Sequence, residues 1–388
     1  MMARLGDLFL HIRNGANIKQ GLDNTGYPIT RIETISNRTV DRNKMGYAGI
    51  TDLEKYSDFV MQDGDILMSH INSETHLGKT ALYEKEGDEI IIHGMNLLSL
   101  RPNKDLITSK YAFYYLSSQS FLRQIPNITK KSVNQASFTV SALKELVFPL
   151  MSIEKQKKIT VDLDKVNDLI SLRKQQLSKL DELVKSRFVE LFGDVANSPK
   201  YSGVPLGTIC STLSGGTPTT KVPEYYQGDI PWISTPYLGN NHINGSSAKA
   251  YITEDAIKNS ATHLIPANTI MFGIRVGVGK SSIIDEPMCA NQDIVALMGI
   301  DTNKYNLLFV KHTLDSYQSH FDSIKKGATI LGITTDDLKK VLIPNVDIGL
   351  QNQFAAFVEQ VDKSKFEIQK SLEKLETLKK ALMQKYFG

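Results

Sequence analysis

The chain has 388 residues, enough for two or three domains of ordinary size, and its 41% hydrophobic and 22% charged content excludes a disordered chain. The net charge is only +3, and no segment cut at positions 152, 193 and 347 departs from neutrality by more than two charges, which excludes a general basic footprint for a polyanion. Cys210 and Cys289 are the only cysteines, so neither a disulfide framework nor a cysteine metal site is present. Residues 1–7 lack an apolar signal core and no apolar run approaches membrane-spanning length, so we expect a cytoplasmic protein with no membrane partner.

Residues 1–151 read as a mixed, strand-rich domain. Asp63-Gly64-Asp65-Ile66-Leu67-Met68-Ser69 is a turn feeding a strand, and 89–93 and 96–100 are further strand runs, the second ended by Pro102. Residues 110–123 form a predicted helix whose apolar face is Tyr111, Tyr114, Tyr115, Leu116 and Leu122, and 130–137 is a polar, basic loop. Residues 152–193 then form a long amphipathic helix, opened by Ser152 as N-cap and closed by Gly193.

Residues 194–346 repeat the order of the first domain, and 347–388 repeat the helix. Leu206-Gly207 answers Leu5-Gly6, Gly279-Lys280-Ser281 answers Gly78-Lys79-Thr80, residues 305–321 answer the 110–123 helix, and Lys325-Lys326-Gly327-Ala328-Thr329 answers the basic loop. The offset drifts from 201 positions to 195, where Ile348 stands for Ile153, Gln351 for Gln156 and Leu372 for Leu177. Loop lengths have diverged while the helices have not.

About 40 residues at a rise of about 1.5 Å make a rod of roughly 60 Å. One seam of the first helix carries Leu163, Ile170, Leu177, Val184 and Leu191, and the other carries Ile159, Val166, Arg173, Leu180 and Arg187. In the second helix Phe354, Val361, Ile368, Leu375 and Leu382 are all apolar, while Val358, Lys365, Leu372, Lys379 and Tyr386 are interrupted by lysines. Helices with such faces bury them against each other, and we expect an antiparallel coiled coil; two separate surface helices are the alternative. The principal coiled-coil positions are Leu163, Ile170, Leu177, Leu180, Val361, Ile368, Leu372 and Leu375. The fold class is therefore α+β: two strand-rich domains joined by two long helices, with an internal repeat.

Catalytic signatures are lacking. Gly273-Ile274-Arg275-Val276-Gly277-Val278-Gly279-Lys280-Ser281 has Ile274 where a phosphate-cradling loop needs its first glycine, and its flanks read as strands, so we expect a hairpin turn. The eight histidines show no metal-ligand spacing, and the sequence has neither an Asn-Pro-Pro-aromatic motif nor a Gly-x-Ser-x-Gly elbow. We expect no cofactor, no metal and no catalysis.

What remains are duplicated polar, aromatic and basic loops, the residue types that read base edges and position the phosphate backbone. In the first half these are Lys19, Gln20, Arg38, Asn43, His70, Asn72, Lys130, Lys131 and Gln135. In the second they are Thr217, Lys221, Tyr237, Asn240, Asn241, His242, Arg275, Lys325 and Lys326. Singly, each also reads as a surface or structural residue; the set carries the interpretation.

The whole chain resembles a specificity subunit of a type I restriction-modification system. Ser214-Gly215-Gly216-Thr217-Pro218 followed by Tyr225-Tyr226-Gln227-Gly228-Asp229-Ile230-Pro231-Trp232-Ile233-Ser234-Thr235 resembles the opening of a target recognition domain. Val147-Phe148-Pro149 leading to Glu154-Lys155-Gln156, and Leu342-Ile343-Pro344 leading to Gln351-Asn352-Gln353, resemble the entries to the spacer helices. The first half departs from the pattern, with Arg13-Asn14-Gly15-Ala16-Asn17 in place of the Gly-Gly-Thr-Pro run. The resemblance implies a non-catalytic subunit that binds double-stranded DNA, two DNA methyltransferase (modification) subunits and ATP-dependent restriction (translocase) subunits. Each domain would read one half of a bipartite target. A coiled-coil scaffold without DNA specificity, or a stand-alone methyltransferase or nuclease, is the competing expectation.

Overall fold

In the computed structural model, which describes residues 1–19, 21, 25–36, 38–132, 135–248, 250–327 and 330–388, the apolar runs pair into two sheets of one plan. β1 (Phe9–Asn14), β2 (Ile66–Ser69), β3 (Thr80–Leu82) and β4 (Leu97–Pro102) form an antiparallel sheet in the order β1-β4-β2-β3. In the second half β5 (Ser211–Ser214), β6 (His242–Ile243), β7 (Thr269–Gly273), β8 (Ser281–Ile284) and β9 (Ile294–Met298) take the order β5-β9-β7-β8-β6. The first four places repeat the first sheet, and β6 adds on in parallel to β8. β2 and β7 are buried at every residue, as their unbroken apolar character requires of central strands. A short antiparallel pair ties the start of each domain to its end: Met2–Arg4 with Val147–Pro149, and Gly203–Pro205 with Leu342–Pro344.

Three local expectations are corrected. Residues 89–93 form no strand; Ile92 makes only isolated bridges, to Ile29 and Val60, although Ile91 and Ile92 are buried. Burial without a ladder has the same apolar composition as a strand, so composition misread it. The 110–123 helix is two pieces, α1 (Ser109–Leu116) and a turn at Gln119–Leu122 whose Phe121 N–H is capped by Ser118 Oγ at 3.3 Å. The apolar period runs through the break and conceals it. The basic segment expected as a loop carries strands at its described ends, because Lys130–Lys131 pairs with Ala136–Ser137, which pairs in turn with Ile71–Asn72. The long helix α2 (Ile153–Phe192) follows the first domain, and in the second half α3 (Leu307–Ser316) is likewise followed by a separate turn of helix, Gln318–Ile324.

The chain divides into two compact units, Met1–Lys174 with Lys370–Gly388, and Gln175–Gln369, so α2 and α4 (Ile348–Phe387) each contribute to both. In the first unit Tyr386 donates to Asp162 at 2.7 Å and Lys174 lies 3.7 Å from Glu376. In the second, Lys365 reaches Asp181 at 2.6 Å and the Phe188 and Phe354 rings sit 5.3 Å apart. Positions rising along α2 meet positions falling along α4 in both units, which is antiparallel pairing. All twenty seam positions read from the heptads are buried or half-buried. Leu163 is buried with Phe387 in the first core, and Val361 with Phe354 and Val358 in the second, while Ile170 and Leu372 are also buried. Leu177, Leu180, Ile368 and Leu375 are half-buried, as two helices alone can achieve. Ser152 Oγ accepts from the Lys155 N–H, Asp347 Oδ1 accepts from the Gly349 N–H, and Gly193 takes φ +81°, the left-handed conformation of a helix C′ glycine.

One duplicated residue fastens each domain to its helix. Gln156 is fully buried; its Oε1 accepts from the Thr108 N–H at 2.8 Å, and its Nε2 donates to Leu106 O and Met151 O, both at 2.9 Å. Gln351, also fully buried, accepts from the Asn306 N–H at 2.9 Å and donates to Lys304 O and Val346 O, both at 3.0 Å. Thr108 and Asn306 are the N-caps of α1 and α3. Only an uncharged amide offers one acceptor and two donors to this set. Gln351→Ala leaves three part-buried backbone groups without this partner and is expected to destabilise by about 2 kcal/mol in urea unfolding; a change below about 0.5 kcal/mol, the range of ordinary surface substitutions, would contradict it.

Candidate nucleic-acid interface

In the first unit the end of β2 carries the candidate surface. The backbone turns at Ser69 and His70 into Ile71–Asn72, which pairs with Ala136–Ser137, and the Phe138 N–H donates to His70 O at 3.1 Å. Asn72, Lys130 and Lys131 thereby share one small three-stranded sheet, and Gln135 directly precedes its central strand. Lys130, Lys131 and Gln135 are exposed; Lys131 meets Glu74 at 2.7 Å, and the Gln135 carbonyl accepts from the Ser132 N–H. Asn72 is half-buried and caps the Ser73 N–H.

Other expected readers of this half stand elsewhere. His70 is buried edge-on to Phe138, so its imidazole supports the hairpin from beneath and is not presented to a base. Arg38 is exposed at φ +60° and lines a hollow with Arg42, Lys110 and Asp164, where cations and carboxylates are mixed. Lys19 is exposed; Asn43 is exposed, with its N–H bonded to Asp41 Oδ1. Gln20 lies outside the described residues.

The histidines have a measurable consequence. Burial holds His93 at a pKa of about 3 and His70 at about 4, and burial reinforced by Arg13 and Arg101 holds His11 at about 4. The second unit has one such group, His312, held at about 4 by burial and Lys311. Each pKa is depressed from 6.5, so the unfolded chain binds more protons below that value, and stability falls as pH drops from about 6.5 towards 4. Three of the four lie in the first unit. The acid midpoint from far-UV circular dichroism is therefore expected at higher pH than that from Trp232 fluorescence, which reports the second unit alone; a Trp232 transition at the higher pH would contradict this.

In the second unit the same device returns. The Ile333 N–H donates to Ile274 O at 2.8 Å, as Phe138 does to His70, and Lys326 pairs with Gly332 through two backbone bonds. A Cβ at Gly332 would strike Ile274 O and Arg275 Cγ, so this loop lies directly on Arg275. Exposed Arg275 is 3.9 Å from Asp293, whose neighbour Gln292 accepts a hydrogen bond from Thr217 Oγ1. Thr217, Gln292 and Arg275 are thus linked through Asp293, and the loop that carries Lys326 packs on Arg275. Lys325 is tied to Asp322 one turn back.

The Gly-Gly-Thr-Pro segment is positioned by its neighbours. Gly215 and Gly216 press against Ala290, Asn291 and Ala261 backbone atoms at distances no Cβ allows, Trp232 Nε1 donates to Gly216 O at 3.0 Å, and Tyr226 OH donates to Pro218 O at 2.7 Å. In the first unit Gly15 is pressed against Gly94 in the same way, but Ala16 follows and no tryptophan is present, so one glycine suffices there. Lys221 is exposed beyond this segment, with its N–H bonded to Thr219.

Tyr237 and Asn240 line a hollow with Ser246, Ser247 and Lys280. Asn241 turns away from it, its amide donating to Asp362 of α4 at 2.7 Å, which makes it a brace; His242 faces Asp285 at 2.7 Å. Sequence reasoning missed Gln292 and Lys280. Gln292 is one exposed polar residue between two apolar runs, and Lys280 was absorbed into the question of a nucleotide loop. That glycine-rich segment is a hairpin turn between β7 and β8, with φ +77° at Gly277 and +91° at Gly279, and no helix follows it. Among the described residues no group of His, Cys, Asp and Glu is arranged to hold a metal ion, and burial raises both thiols to about 11.

The family model described as the type I restriction modification DNA specificity domain matches twice, over residues 1–182 and 200–380. The chain is 31% identical over 397 residues to the putative type I restriction enzyme MjaX specificity subunit of Methanocaldococcus jannaschii, covering 98% of this chain and 90% of that one. It is 31% identical over 164 residues to the EcoR124I/EcoR124II specificity subunit of Escherichia coli, 40% of either chain. Its fold is similar to the crystal structure of the type I restriction-modification S subunit from M. genitalium, with a TM-score of 0.58 at 15% identity over 100% of this chain and 96% of that one. A chain from a study of type I restriction-modification complex assembly and conformational transition gives 0.57 at 17% identity, over 100% and 97%.

Proposed function

We infer the function from one premise: the chain belongs to the type I restriction-modification DNA specificity family. It is a non-catalytic DNA-recognition subunit. Residues 1–151 and 194–346 each read one half of a bipartite duplex target, while 152–193 and 347–388, as a helix pair, set the unread spacer and dock two methyltransferase subunits. ATP-dependent restriction subunits join for cleavage, and the complex works in the cytoplasm.

The observation that carries this reading is the duplicated device: a sheet of one order, a basic loop returned to the strand end by one backbone bond, and a buried glutamine clamp to a long helix. Asn72, Lys130, Lys131 and Gln135 are the contacts favoured in the first half, and Thr217, Arg275, Lys326, Tyr237 and Asn240 in the second. Lys19, Arg38, Asn43, Lys221, His242 and Lys325 would flank them. Near-neutral charge fits a subunit whose partners supply much of the phosphate neutralisation on which affinity rests. Mapping methylated positions in DNA from cells that express this chain with its methyltransferase partner tests the reading. A scaffold without DNA specificity would leave methylation unchanged when this chain is removed.

A further inference from the structure

The Gly-Lys turn occurs in both units, and its surroundings differ in one informative respect. In the first unit Lys79 Nζ donates to Ser36 O at 2.5 Å, and the buried Thr34 hydroxyl is occupied by Lys44 O and the Arg31 N–H. At the same 201-residue offset stand Lys280, Tyr237 and Thr235. There Thr235 Oγ1 is buried without a hydrogen-bond partner, and the exposed Lys280 ammonium has none among the described residues. The lysine stem lies over Gly277, where an added Cβ would meet Lys280 Cδ at 3.3 Å and Thr235 Cγ2 at 3.5 Å. Lys280 lines the hollow of Tyr237, Asn240, Ser246 and Ser247, and is the only charged group among the described residues that line it. The hollow beside Arg38 in the first unit is not lined by Lys79 or Ser36, and it mixes Arg38, Arg42 and Lys110 with Glu84, Glu86, Asp164 and Asp168.

We propose that Lys280 holds a phosphate of the DNA backbone in this hollow, with the Asn240 amide and the Ser247 hydroxyl as neutral donors. One cation among neutral donors suits a phosphodiester oxygen, whose position carries no base identity. In the first unit the equivalent Lys79 is already bonded to Ser36 O, so the two units grip the backbone unequally. The inference rests on the proposed DNA reading and extends it to a sequence-independent contact.

The test measures binding of the complex of this chain with its methyltransferase subunits to duplex carrying its mapped target, by fluorescence anisotropy across a salt series. Lys280→Gln is expected to weaken binding several-fold and to lower the slope of log affinity against log salt by about 0.9, with the methylated sequence unchanged. Lys280→Arg should restore the slope, and Lys79→Gln, which removes the same charge, should leave it as it was. An unaltered slope in Lys280→Gln, an equal fall in Lys79→Gln, or a changed target sequence would overturn the proposal while leaving the DNA reading intact. Failure of the unaltered complex to bind its duplex overturns both. Saturable binding of ATP or inorganic phosphate that Lys280→Gln abolishes, without an effect on the duplex slope, would assign the hollow to a free anion and overturn it too.

Discussion

A matched pair of seven-residue insertions, one after Leu177 in α2 and one after Gln369 in α4, is expected to lengthen the unread spacer by about three base pairs and to leave both half-site sequences intact. Seven residues add about 10.5 Å of helix at about 1.5 Å each, and successive base pairs rise about 3.4 Å. Seven is also one heptad, so every seam position downstream keeps its face. The insertions must be matched because each unit fixes its own pairing: Lys174 beside Glu376 in the first, Asp181 beside Lys365 in the second. Both insertion points adjoin the division between the units, at 174/175 and 369/370. Methylation mapped in cells carrying the lengthened chain checks this. An unchanged gap, or altered half-sites, would refute the helix pair as the element that sets the spacer.

Exchanging residues 194–346 for the equivalent segment of a relative is expected to replace one half-site completely and leave the other half-site and the gap unchanged. The junctions suit the graft. Gly193 at φ +81° ends α2 and Asp347 caps α4, so both helices and Gln351 stay native. The donor must supply the backbone that Gln351 grips at Lys304 and Asn306, because that clamp orients the domain on the helix. A change in both half-sites would mean that each is read jointly.

The repeat was legible because it is written twice. Gln156 and Gln351 could be paired from the sequence by their offset, and the heptads placed every seam residue on a buried or half-buried face. Their role as clamps was not legible, since a glutamine at the start of an amphipathic helix reads as surface until the partner carbonyls at Leu106 and Lys304 are placed. His70 shows the converse: a polar residue ending an apolar strand reads as presented to solvent, and only the return of Phe138 over it decides that it is buried. The pairing of Lys130–Lys131 with Ala136–Ser137 escaped because two-residue strands carry no periodicity. Lys280 escaped because a glycine-rich motif is judged by its spacing, whereas the contact proposed for it depends on what the neighbouring loop leaves unsatisfied.

The central claim is that two domains of one plan read two separated half-sites. Base-resolution mapping of methylation in cells expressing this chain with its modification partner tests it most directly. The account predicts one asymmetric motif of two short specified parts separated by an unspecified gap of constant length, absent when this chain is deleted. A single uninterrupted motif, a gap of variable length, or methylation that persists without this chain would contradict it.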